Sequence, residues 1–245
     1  MFEHTEGINI NSYDEIAKSD LEFWKVKQFR KSSSLNRMAK NLQLKANKWI
    51  PKKVHQVITE SIKGMVKTAL VGSDIKRMDP ISKMDLQDRE KLAIEKLNIY
   101  KKTAAVEGAG TGAGGIMLGL ADFPLLLSIK LRYLFDISSI YGFDPKEYEN
   151  RIYILYVLLL AYSSDEKRKE TLAVLENWNA EKEELVELDW QTFQQEYRDY
   201  LDVKKMLQMV PGIGAVVGLY VNYQLLDHLG ETAKYAFRMR YFTEE

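Results

Sequence analysis

Apolar residues return every three or four positions along most of this chain, and no stretch alternates persistently. That pattern predicts helices and no sheet. Leu35, Met38, Leu42, Ala46 and Trp49 fall on one helix face, with Arg37, Lys40 and Lys48 on the other. Pro51 suits the first turn of the next helix, where Val54, Val57, Ile58, Ile62, Met65, Val66 and Ala69 form a stripe that stops at Gly72. Residues 75–85, with Pro80 among them, read as a linker. Asp85 or Asp88 is placed to cap a helix running to about Val106, with Ala93, Leu97, Tyr100 and Ala104 on its inner face. Pro124 opens another helix that should end at Tyr141-Gly142. Residues 148–163 are apolar all round but too short to span a bilayer comfortably, so they read as a buried helix. Residues 165–202 read as helical, acidic and solvated, and a last helix carries Ala233, Tyr235, Ala236, Phe237, Arg238 and Arg240. The expected fold is all-α: a multi-helix bundle holding two glycine-rich helical hairpins.

Those hairpins come from two uncharged runs. Residues 206–226 read MLQMVPGIGAVVGLYVNYQLL, and residues 108–121 read GAGTGAGGIMLGLA, ahead of the break Asp122-Phe123-Pro124. Three small-xxx-small pairs lie in them: Gly110/Gly114, Gly115/Gly119 and Gly214/Gly218. Glycine lets helix backbones approach closely, in a protein interior or in lipid. A buried hairpin and a bilayer-docking hairpin both fit. Pro211, Gln208, Asn222 and Gln224 weaken a full span through the second run, because unpaired polar groups are costly in hydrocarbon. The stretch GIMLGL (115–120) matches GAVVGL (214–219), a short likeness that chance also explains. GAGTGAGG is a weak match to a phosphate cradle: Gly108-x-Gly110-x-x-Ala113 fits the looser dinucleotide pattern, but it follows a helical pattern rather than a strand, and no Gly-Lys-Ser/Thr triplet occurs.

Charge changes the picture more than composition does. Lys+Arg and Asp+Glu both number 35, yet residues 25–67 hold 12 bases and one acid, Glu60, while residues 165–202 hold 12 acids and five bases. A neutral total built from opposed blocks makes a polar molecule with one face for anions. Residues 1–74 therefore read as a basic helical arm and residues 86–245 as the core, the two forming one continuous domain. Trp24, Lys25, Arg30, Arg37, Lys40, Lys48 and Trp49 are the candidates for binding a membrane or a partner, and a solvated helix packed on a core fits them as well. No nucleic-acid motif is present. The N-terminus is acidic and lacks an apolar core, so no secretory leader is expected. The expected location is cytoplasmic, peripheral at the inner face of the plasma membrane.

Candidate chemistry is thin. The chain has no cysteine, which excludes thiolate catalysis and Cys-based zinc sites, and His4, His55 and His228 share no metal-ligand spacing. No metal and no cofactor is expected. Asp122, Lys130, Arg132, Asp136 and Asp227 stand inside apolar helices, where charges usually pair. Glu196, Asp199 and Asp202 share a helix face beside Arg198. An enzyme acting near the membrane on a lipid or peptide would draw on Asp122, Glu196 and Asp227, with Arg132 or Arg198 holding an anion. A homo-oligomer through the glycine faces is a third reading.

The stretches IPKKVHQVITESIKGMVKTALVGSD, EGAGTGAGGIMLGLADFPLLLSIKLRYLFDISSIYGFD, DWQTFQQEYRDYLDVKKMLQMVPGIGA and LGETAKYAFRMR resemble the EcsC family, over about Tyr13 to Tyr241. The glycine block through Asp122-Phe123-Pro124 and the later Tyr141-Gly142 are its most specific parts. The resemblance implies an accessory protein, since the family is encoded beside the ATPase and membrane subunits of an ABC transporter. An anionic membrane surface or such a transporter subunit is then the expected partner. The family supplies no catalytic residue that can be carried onto these positions.

Overall fold

A computed structural model describes residues 10–29, 52–71, 78, 81, 83–112, 123–163, 165–183 and 214–244. Among them are eight helices and no strand, so the fold is all-α. They are α1 (Ile10–Phe29), α2 (Lys52–Val71), α3 (Leu86–Gly112), α4 (Phe123–Ile140), α5 (Tyr148–Tyr162), α6 (Asp165–Glu176), α7 (Trp178–Glu181) and α8 (Gly214–Glu244).

Local chemistry sets the helix ends. Asp85 caps α3: its carboxylate accepts the Asp88 backbone N–H at 2.8 Å, an otherwise unpartnered donor of the first turn. The helix runs past the expected end near Val106 to Gly112. Alpha-helix α4 ends in a Schellman turn, with Gly142 N–H on the Ser139 carbonyl and Phe143 N–H on the Ser138 carbonyl. Gly142 holds φ at +97°, a region that L side chains rarely adopt. Arg89 of α3 donates to the buried Ile140 carbonyl at 2.7 Å, so the end of α4 is sealed by a neighbouring helix.

The core gathers around α5, whose residues 152–162 are all buried. Each large apolar side chain so enclosed contributes about 1.5–3 kcal/mol. The most extensive helix–helix contact among the described residues is α8 along α3, and α8 also meets α1, α4, α5 and α6. Tyr153 and Tyr162 of α5 donate their hydroxyls to the Ala236 and Leu225 carbonyls of α8, each at 2.7 Å. Helix α2 packs on α4 and α5, and α1 on α3, α6 and α8.

Two expectations are corrected. From Gly214 onward the second uncharged run is not separate from the last helix: the two form one 31-residue helix, α8. The acidic segment is solvated only in part, since Thr171, Leu172, Leu175 and Trp178 are buried. The two expected glycine-rich hairpins fall largely outside the described residues, as do Gly114, Gly115 and Gly119. Gly110 stands in the last turn of α3, and Gly214 and Gly218 in the first turns of α8. Gly230, which the spacing argument did not single out, lies at a close crossing. A Cβ there would come within 2.4 Å of the Leu97 side chain on α3.

Candidate functional site

Helix α1 shows two faces. Tyr13, Ala17, Leu21 and Trp24, at spacings of four, four and three, point inward. Trp24 is 3% exposed and stacks on Tyr235 of α8 with ring centroids 4.9 Å apart. This corrects the reading of Trp24 as a docking aromatic: it anchors α1 to the core. Lys25 is half-buried and paired with Glu22 at 2.8 Å and Glu176 at 3.2 Å. Burial alone would lower its pKa, but those two carboxylates outweigh it and the shift is upward.

Beneath α1 lies the best-built polar cluster of the described residues. Arg238 of α8 grips Glu90 of α3 with two hydrogen bonds of 2.6 Å, a fork matched to a carboxylate. Both side chains are nearly sealed from solvent. Tyr13 donates to Glu90 at 2.7 Å, and Arg238 donates a further bond to the Ala17 carbonyl at 3.0 Å. Tyr141 reaches Glu90 at 3.4 Å. Burial, then the Glu90 carboxylate, raises the Tyr13 phenol far above its ordinary range, and burial does the same for Tyr141. Every charge here is engaged within the protein, so the cluster fastens α1 and offers nothing to a substrate.

The outward face of α1 is different. Ile16, Phe23, Val26 and Phe29 are large and exposed, Phe23 most of all at 71%. Ile16, Phe23 and Val26 follow an i, i+7, i+10 stripe, and Phe29 extends it to the helix end. The helix itself is not basic: Asp14, Glu15, Asp20 and Glu22 face Lys18, Lys25 and Lys27. The cationic block of residues 30–67 follows directly. Its members Arg30, Arg37, Lys40, Lys48 and Trp49 lie outside the described residues.

The catalytic candidates do not converge among the described residues. Asp227 of α8 bonds Lys101 of α3 at 2.5 Å, and Lys101 also lies 4.2 Å from the Tyr223 ring centre. Burial disfavours the Lys101 charge, yet the Asp227 hydrogen bond prevails and its pKa is raised. Asp136 accepts from Tyr100 at 3.0 Å and faces Lys96 at 3.6 Å. Arg132 sits on the exposed side of α4, beside a groove of about 610 Å³ between α2 and α4. Asp122, Glu196 and Arg198 lie outside the described residues. No group of three His, Asp or Glu side chains suited to a metal ion occurs among the described residues. No described helix is long and apolar enough to cross a membrane.

Sequence spacing missed a third cluster. Arg240 is buried against the rings of Phe143 and Tyr153, 4.3 and 4.7 Å from their centres, and bonds Glu149 at 3.1 Å and Glu244 at 2.7 Å. Trp178 and Lys182 reach the same Glu149 at 3.2 Å. The last helix pattern contained Arg238 and Arg240, but only the folded chain shows that both turn inward.

The chain is 50% identical over 222 residues to Protein EcsC of Bacillus subtilis (strain 168), covering 90% of this chain and 93% of that one. It is 32% identical over 145 residues to Uncharacterized protein YdbA of the same organism, covering 58% of this chain and 53% of that one. No solved structure matches it significantly. The EcsC protein family profile matches residues 15–242, from the outer turns of α1 to the last turn of α8, and the chain belongs to that family.

Proposed function

We propose that this protein is a non-enzymatic, peripheral membrane protein at the cytoplasmic face, accessory to a membrane assembly such as an ABC transporter. It docks by laying the outer stripe of α1 into the headgroup region of an anionic bilayer, while the cationic block after it meets the lipid charge. The observation that carries the reading is the exposed row Ile16, Phe23, Val26 and Phe29 on a helix whose other face is locked to the core. Apolar side chains at the interface plane and neighbouring cations act together: each buried ring contributes about 1.5–3 kcal/mol and each cation about 1 kcal/mol. The engagement of Glu90 by buried Arg238, of Glu149 by Arg240 and of the more exposed Asp227 by Lys101 weighs against the enzyme reading.

Co-sedimentation with phosphatidylglycerol–phosphatidylcholine vesicles tests it. The protein is expected to bind at low ionic strength and to bind less as salt screens the charge. Phe23→Glu should weaken binding at least about tenfold, because it removes an inserted ring and adds a repelled charge. Its thermal unfolding should match the parent, since the ring is mostly exposed. Absence of binding to anionic vesicles at low salt overturns the proposal. Binding that requires a membrane protein in the vesicle, whatever the lipid, moves the docking site to a transporter subunit.

A further inference from the structure

We infer that the groove between α2 and α4 is a binding site for a single-chain anionic amphiphile, an acyl chain ending in a carboxylate. The site is separate from the outer stripe of α1 and does not depend on the docking reading. Its volume of about 610 Å³ falls within the range of small-molecule pockets, about 300–1,000 Å³. Met65 of α2 and Pro124 and Leu131 of α4 give it apolar walls. Gly64 opens it further, for a Cβ there would meet nothing within 4 Å. An apolar trough of this kind suits a hydrocarbon chain, and methionine adapts to its shape.

Charge selects the end group. Two charged side chains border the groove, Glu60 and Arg132. Glu60 pairs with its own helix neighbour Lys63 at 3.4 Å, an exposed contact that offsets part of its charge. Arg132 makes no ion pair with a described carboxylate. Asp136, one turn along α4, is engaged by Tyr100 and Lys96. A planar guanidinium beside an apolar trough recognises a carboxylate by two parallel hydrogen bonds. A mainly apolar wall and a cation without an ion-pair partner among the described residues together distinguish a fatty acid from a neutral lipid or a free anion.

The experiment titrates the full-length protein with cis-parinaric acid, a fluorescent fatty acid, below its micelle concentration, with its methyl ester and acetate as comparisons. Saturable binding of the acid at one site per chain is expected, with the ester weaker and acetate inert. Gly64→Leu, which fills the trough at an open helix position, should abolish it. Arg132→Gln should weaken the acid about tenfold and leave the ester unchanged. Phe23→Glu should bind as the parent does. The inference is overturned if no saturable binding occurs, if Gly64→Leu binds as the parent, or if Phe23→Glu rather than Gly64→Leu removes it. Circular dichroism of Gly64→Leu ensures that loss of binding is not loss of fold.

Discussion

Taking Glu90 away leaves the Arg238 guanidinium sealed in the core without the carboxylate that answers its charge, though the Ala17 carbonyl still accepts one bond. Glu90→Gln keeps the shape and removes the charge, so it should destabilise the protein by about 3–5 kcal/mol in denaturant unfolding. Adding Arg238→Met should return part of that loss, since the orphaned charge goes with it. The same residue-scale reasoning applies to the buried phenols. Tyr13, Tyr100, Tyr133, Tyr141 and Tyr153 all have pKa values raised above 10.0, with burial the largest cause. A phenol raised in the folded state stabilises the fold below its unfolded pKa and loses that contribution as pH climbs toward the folded value. Stability should therefore hold up to about pH 10 and fall above it. Ultraviolet titration should show these five ionising with unfolding, and stepwise ionisation in a folded protein would contradict the burial argument.

At the scale of elements, three glycines behave differently for stated reasons. Gly142 closes α4 with φ at +97°, and a Cβ there would also lie 3.1 Å from the Arg89 guanidinium. Gly142→Ala should destabilise by about 1–3 kcal/mol. Gly230 meets Leu97 where α8 crosses α3, so Gly230→Ala overpacks that contact and should cost about 1 kcal/mol or more, less if Leu97 rotates away. Gly64 is an exposed helical position with open space around it, and Gly64→Ala should stabilise by about 0.5–1 kcal/mol. Thermal melts of the three variants check the order. Gly142 was legible beforehand as a helix stop. Gly230 was not, because a lone glycine in a helical pattern says nothing of which helix crosses it.

The whole molecule is organised by α8 lying along α3, with α5 enclosed and α1 fastened on the outside. Docking of α1 belongs at this scale, since it requires one helix to face core and solvent at once. The membrane-binding loss expected of Phe23→Glu should be matched by Phe29→Glu but not by Ser19→Glu, if contact depends on the apolar row. Equal loss from all three would mark a general charge effect instead. The candidate residues divide on the same ground: Trp24 and Lys25 are engaged against the core, Asp227 is exposed but paired with Lys101, and Arg132 stands on a groove. Spacing could place each on a helix face, but it could not say what that face would meet.

Helical periodicity, capping residues and the proline and glycine stops determined the all-α class and most helix positions, because those signals act within a turn or two along the chain. Tertiary structure alone decided the direction of each amphipathic face. A tryptophan beside a lysine reads the same at a membrane surface and at a core boundary, and burial against Tyr235 settled Trp24 as core. Arg238 and Arg240 look like surface charges in sequence, yet carboxylates contributed from α3 and α5 neutralise them in the interior. Ion pairs and helix crossings join residues that lie far apart in the chain, and their energies depend on dielectric and distance, neither of which the linear order contains.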